Sequence, residues 1–126
     1  MVQLIYKLDR EEDRVKFYQL TKNAKICVLC FSATWCGPCK KLGAELGIKM
    51  ADILESEHDP NDFESLNDSV VVVKVDIDVF EDLAKLYDVN GIPHVVFFHY
   101  GKLQNDFVIG CKSDQIVNKV RELIHM

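Results

Sequence analysis

The stretch Phe31-Ser32-Ala33-Thr34-Trp35-Cys36-Gly37-Pro38-Cys39-Lys40 constrains the chain more than any other. A strand-like apolar run, Ile26 to Phe31, feeds into it. A helical pattern leaves it, with Leu42, Leu46, Met50 and Ile53 recurring at spacings of three and four. A Cys-x-x-Cys pair at a strand-to-helix junction is the setting in which this spacing means thiol redox chemistry.

The attacking species in disulfide exchange is a thiolate. At a helix N-terminus the first backbone N–H groups lack intrahelical acceptors and the helix dipole presents partial positive charge. Cys36 is therefore expected where a thiolate is stabilised. Pro38 suits the first helical turn, where its missing N–H costs no hydrogen bond. Gly37 lets a partner's backbone come close. Cys39, one turn on, shares a face with Cys36 and is expected to be the more buried. Cys36 can form a mixed disulfide with a substrate and Cys39 can break it.

Phe31 to Lys40 resembles the active site of the thioredoxin family almost residue for residue. The resemblance implies a thioredoxin fold: a mixed sheet of about five strands flanked by four helices, in the order β-α-β-α-β-α-β-β-α. It also implies a protein-disulfide reductase with Cys36 as nucleophile and Cys39 as resolving thiol. No bound cofactor is implied. The dithiol carries the electrons, which are expected from NADPH through a thioredoxin reductase. Gly37-Pro38 resembles reductants rather than oxidising isomerases, which usually have a histidine there, or glutaredoxins, which usually have Pro-Tyr. The alternative is a thioredoxin-fold protein-binding module with little or no reductase activity.

The chain has 126 residues, enough for one domain, and 48% of them are apolar, so a packed core is expected. A net charge of −5 disfavours nucleic acid or an anionic membrane as partner. Met1 to Asp9 has no basic lead and its apolar run breaks at Lys7, so no secretory leader is expected. Five cysteines make an odd count, unlike an extracellular disulfide framework. A cytoplasmic monomer acting on disulfide-containing proteins is expected. Cys27-x-x-Cys30 and Cys36-x-x-Cys39 together imitate a zinc site. Cys27 and Cys30, three apart in a strand, point to opposite faces, so no metal is expected.

Along the chain, Val2 to Tyr6 reads as a first strand. Asp9 reads as the N-cap of a helix, with Glu12 completing a capping box and Val15, Phe17, Tyr18 and Leu20 as its apolar stripe. Lys25 to Ser32 reads as a central strand. The active-site helix is expected to run to about Leu54. Residues 55–69 are acidic and longer than the family's connection by about a dozen residues, as functional or disordered loops are. Asp59 and Pro60 can start a short helix there, and the segment reads either as a solvated insertion or as a docking element. Val70 to Val75 is a buried-type strand, and Asp78 can cap a helix carrying Leu83, Ala84, Leu86 and Tyr87. His94 to Tyr100 and Leu103 to Ile109 flank Gly101-Lys102 as a hairpin. Ser113 is expected to cap a last helix with Ile116, Val117, Val120, Leu123 and Ile124 on one face. The resemblance implies that Ile92 and Pro93 form a substrate-pairing loop with a cis bond as an option. Trp35, Gly91 and Gly110 would shape the groove around it.

Several positions depart from the family's pattern. Cys30 stands where thioredoxins carry a buried Asp thought to move the proton of the second cysteine. A neutral Cys30 removes a like charge, so Cys36 is expected to be at least as acidic as in ordinary members. Lys74 lies where many members have a lysine near that Asp. It leaves two readings of Cys30: a small buried hydrophobe, or a third redox thiol able to pair with Cys39. His94 replaces the usual threonine after Pro93 and reads as either a base near the cysteines or a core histidine. Cys111 reads as either an exposed, cappable thiol or a spectator, and Cys27 as core. Ala44 stands where a kink-forming proline is usual, and Gly43 can supply the bend.

Overall fold

A computed structural model of the chain describes residues 5–56 and 70–126. Five strands form one sheet in the order β1-β3-β2-β4-β5: β1 Ile5–Leu8, β2 Ile26–Ser32, β3 Val70–Asp76, β4 His94–His99 and β5 Lys102–Ile109. β1 and β2 run parallel to β3, while β4 is antiparallel to β2 and to β5. Four helices accompany them: α1 Arg14–Asn23, α2 Gly37–Ser56, α3 Glu81–Leu86 and α4 Ser113–Ile124. Part of the acidic stretch and its expected short helix, residues 57–69, lies outside the described residues. Glu55 and Ser56 belong to the last turn of α2.

β2 lies in the middle of the sheet, and its side chains are buried from Ile26 to Phe31 because helices cover both faces. Alternation sorts them. Val28 and Cys30 pack with Leu42, Leu46 and Met50 of α2 and with Ile116 and Val120 of α4. Cys27, Leu29 and Phe31 pack on the opposite face with Phe17 of α1 and Leu83 of α3. β3 follows the same rule in register with β2, so Val70 and Val72 face α2 while Val71, Val73 and Val75 face away.

Several helix starts differ from the sequence expectation. A 3-10 turn, Glu11–Asp13, precedes α1, and the Asp13 carboxylate accepts the backbone N–H groups of Asp9 and Arg10, each at 3.1 Å. The capping acid is Asp13, not Asp9. Within α1 only Phe17 and Thr21 are buried; Val15 is 65% exposed and Tyr18 also faces solvent. Phe17 is the buried anchor of the helix, and Leu20 packs half-buried against the same cluster. Asp78 does not cap α3, whose preceding residue is Phe80. Ser113 is the first residue of α4 rather than its cap, and its hydroxyl bonds to Glu45 and Lys49 of α2. The β4–β5 turn has Tyr100 at φ 51° and Gly101 at φ 80°, the two left-handed residues of a two-residue hairpin.

Candidate active site

The site lies where β2 ends and α2 begins. The Cys36 carbonyl accepts the Lys40 N–H at 3.3 Å, and Cys36 Sγ accepts the Cys39 N–H at 3.2 Å. The sulfur thus occupies the place of an N-cap oxygen, where a negative charge meets an otherwise unsatisfied donor and the positive end of the helix. Cys36 and Cys39 form a disulfide, with Cα atoms 5.3 Å apart. Both are 5% exposed, so Cys39 is no more buried than Cys36. Ala33, Ile77 and Ile92 pack around the pair.

The loop before β4 completes the site. The Ile92–Pro93 peptide is cis. The Pro93 carbonyl accepts the Gly110 N–H at 2.8 Å, and Gly110 has φ +96°, a conformation that a side chain would strain. Ile109 lies against Gly91, 4.0 Å from where a Cβ would stand. A Cβ on Gly37 would meet nothing within 4 Å, so the space beside it is open to a partner. Trp35 is 67% exposed, and its Nε1–H donates to Asp78 Oδ2 at 2.9 Å. Asp78 is itself held by a turn in which its N–H donates to Asp76 Oδ1 at 2.9 Å. Sequence reasoning missed this pairing of Trp35 with Asp78. The Asp-x-Asp spacing after a strand was the available signal, and it serves a tryptophan instead of a helix.

The residues singled out beyond the active pair fall on both faces of the sheet. Cys30 is buried in the α2-side core, and burial pushes its thiol up to about 12 against the smaller opposing pull of Lys74. Such burial is what the packed-hydrophobe reading expects. Cys27 is buried on the opposite face, with its thiol likewise raised by burial. Among the described residues no cluster of three metal-binding side chains forms.

His94 is 4% exposed and lies on the face away from α2, between an edge-on Phe31 and a stacked Phe107 at 5.3 Å. Burial holds its pKa below the ordinary value, and its Nδ1 has no hydrogen-bond partner among the described residues. Its burial between these rings is what the core-histidine reading expects. Cys111 is half-buried. Its Sγ lies 3.7 Å from Glu45 Oε2, and burial and that carboxylate both raise its pKa, which disfavours a reactive thiolate.

Lys74 faces α2 beside Cys30. A Cβ on Gly43 would collide with the Lys74 ammonium, so Gly43 makes room for that side chain. This, in place of a bend, is what the structure offers for the glycine. An open cavity of about 300 Å³ lies behind Cys39, with Lys7, Ser32, Lys74 and Asp76 also in its wall. The sequence contained no sign of this cavity. Lys7 and Lys74, which share its wall, are in register across β1 and β3.

The family model described as Thioredoxin matches residues 10–122. Thioredoxin-T of Drosophila melanogaster is 34% identical over 113 residues, covering 90% of this chain and 62% of that protein. The chain thus spans less than two thirds of that relative's length. A thioredoxin of Echinococcus granulosus is 36% identical over 103 residues, covering 82% of this chain and 78% of that one. Among solved structures, thioredoxin NaTrxh of Nicotiana alata superposes with a TM-score of 0.71 at 24% identity, over 97% of this chain and 94% of that chain.

Proposed function

This chain belongs to the thioredoxin family, and on that premise we propose that it reduces protein disulfides by dithiol exchange at Cys36 and Cys39. The observation that carries the reading is the disulfide pair at the start of α2, with Cys36 Sγ accepting the Cys39 N–H.

In the reduced protein the Cys36 thiolate attacks one sulfur of the substrate disulfide. A Cys36–substrate disulfide forms, and the departing substrate thiolate takes up a proton. Cys39, as thiolate, then attacks Cys36 Sγ. The Cys36–Cys39 bond forms, the second substrate thiolate leaves and is protonated, and two electrons have passed to the substrate. The docking groove is formed by Trp35, Gly37, Pro38, Gly91, Ile92, Pro93 and Gly110. Its floor is supported by the hydrogen bond from Gly110 to Pro93, and the exposed Trp35 ring is held at its rim by Asp78.

NADPH acting through a thioredoxin reductase returns the disulfide to the dithiol. The protein works as a monomer in a reducing compartment, the cytoplasm. Three cysteines outside the active pair, Cys27, Cys30 and Cys111, are free thiols, which suits such a compartment. Among the described residues no helix is long and apolar enough to cross a membrane. The chain is one domain, with residues 55–69 as an acidic insertion in it.

The test is reduction of a disulfide-bonded protein by NADPH and thioredoxin reductase, with wild type beside Cys36→Ser. Turnover in the wild type and none in the variant is expected. No turnover in the wild type, with the reductase active on another thioredoxin, favours the protein-binding module.

A further inference from the structure

The open cavity behind Cys39, about 300 Å³ in volume, has three lysines in its wall: Lys7, Lys40 and Lys74. That volume is at the lower end for small-molecule sites. The lysines come from three separate elements, the edge strand β1, the first turn of α2 and β3. None of them forms an ion pair among the described residues.

This clustering runs against the composition, in which 20 acidic residues outnumber 15 Lys and Arg. Lys7 and Lys74 are directly opposite each other in the parallel pairing of β1 with β3, and so share a face of the sheet. Neighbouring strands are about 4.8 Å apart, and like charges directly opposite each other destabilise a sheet. The helix above offers no counter-charge at this point. Gly43 and Gly47 present no side chain towards β1 and β3, and the space that a Cβ on Gly43 would fill holds the Lys74 ammonium. Asp9 and Asp76 are also in the wall, yet neither pairs with a lysine. Asp76 Oδ1 instead accepts the Asp78 N–H. The hydroxyls of Ser32 and Thr34 add two neutral donors.

We propose that this cavity binds a phosphate dianion, either free or as the monoester of a small molecule. A phosphate monoester carries close to two negative charges at neutral pH and offers three strong acceptor oxygens. Those oxygens match a wall of three cationic and two neutral donors, most of which a single carboxylate would leave unmet. Placed between Lys7 and Lys74, the anion turns a repulsive pair into two attractive contacts. The open mouth leaves room for the organic part of a monoester. A net charge of −5 works against the phosphates of a nucleic acid or an anionic membrane, because the whole chain repels an extended polyanion. The site adjoins the dithiol but does not depend on its exchange chemistry.

The experiment is an amide NMR titration of the full chain, disulfide intact, with inorganic phosphate, against sodium chloride of equal ionic strength. Saturable shifts centred on Lys7, Thr34, Lys40 and Lys74 are expected with phosphate and not with chloride. Lys7→Gln should weaken binding about tenfold, and Lys7→Arg should hold it within about twofold. Lys7 is exposed, so the fold tolerates both changes. Lys85→Gln, an exposed position of α3 beyond the opposite face of the sheet, removes the same charge and should leave the affinity unchanged. Phosphate at ten times its dissociation constant should raise the thermal midpoint of the wild type by about 5 °C. Without phosphate, Lys7→Gln should melt no lower than the wild type, since it removes a repulsion.

Shifts that chloride reproduces overturn the proposal, as does an equal loss of affinity in Lys7→Gln and Lys85→Gln. A second titration with glycerol phosphate separates the two sources. Tighter binding than inorganic phosphate supports a small organic phosphate as the ligand, and weaker binding supports the free anion. Every readout is binding or melting, so a protein that reduced no disulfide yet bound phosphate here would count against the reductase reading and not against this site.

Discussion

Cys30 sits in β2 beside Lys74, under the first turns of the active-site helix, with no carboxylate at its position. A thiol held protonated by burial adds no charge to the field that Cys36 and Cys39 experience. Introducing Cys30→Asp adds a group whose ionised form repels a second negative charge nearby. We expect it to raise the pH of half-maximal Cys36 alkylation by roughly half a unit to one unit. A profile that moved down instead would mean that Cys30 is not the neutral neighbour its burial makes it. The sequence alone left two characters open for this residue, because a cysteine in an apolar strand reads the same whether it reacts or packs. Burial in the α2-side core favours the packing character.

At the scale of elements, the strand-to-helix junction and the β4–β5 hairpin were legible, because both rest on local chemistry. The Gly101 signal held for a specific reason. Its φ of +80° is open to glycine, and a Cβ there would stand 3.0 Å from the Lys22 carbonyl oxygen at the end of α1. Gly101→Ala is therefore expected to destabilise the fold by about 1–2 kcal/mol from backbone strain alone, and more if Lys22 cannot shift. Urea unfolding midpoints for the two proteins check this, and equal midpoints would refute it. The helix caps were much less legible. Asp9, Asp78 and Ser113 all have the right side chains for N-caps, yet Asp9 gives way to Asp13, Asp78 holds Trp35 and Ser113 bonds across to α2. A short polar side chain can serve any nearby donor, and which donor is near is a tertiary fact.

Across the whole molecule, β2 carries a core on each face, and the layer facing α1 and α3 includes a histidine, His94, between Phe31 and Phe107. Burial lowers its folded-state pKa, so the fold favours the neutral imidazole. The sign follows: this contribution to stability is present above the unfolded pKa of about 6.5 and is lost as pH falls through the lower, folded value. Going from about pH 7.5 to about pH 5, the wild type should lose roughly 1 kcal/mol more stability than His94→Thr. The variant is expected to start lower at neutral pH, because it lacks the ring stacked on Phe107. Urea unfolding at the two pH values separates these effects, and parallel losses in both proteins would show that His94 titrates alike folded and unfolded.

The linear order of residues determined what nearest neighbours and periodicity can encode. Buried runs marked the strands, the Cys-x-x-Cys pair at a strand-to-helix junction marked the chemistry, and Pro93 before a strand marked the loop beside it. Tertiary structure decided what depends on residues far apart in the chain. Strand register set Lys7 next to Lys74 and Cys30 next to Lys74, and the packing of α2 on that face made Gly43 the space for an ammonium. On the opposite face the fold enclosed His94 between Phe31 and Phe107, and beside α2 it left a cavity behind Cys39. The physical reason is the range of the forces: hydrogen-bond and rotamer preferences act within a turn or two of chain, whereas desolvation and charge act through space on whatever the fold brings together.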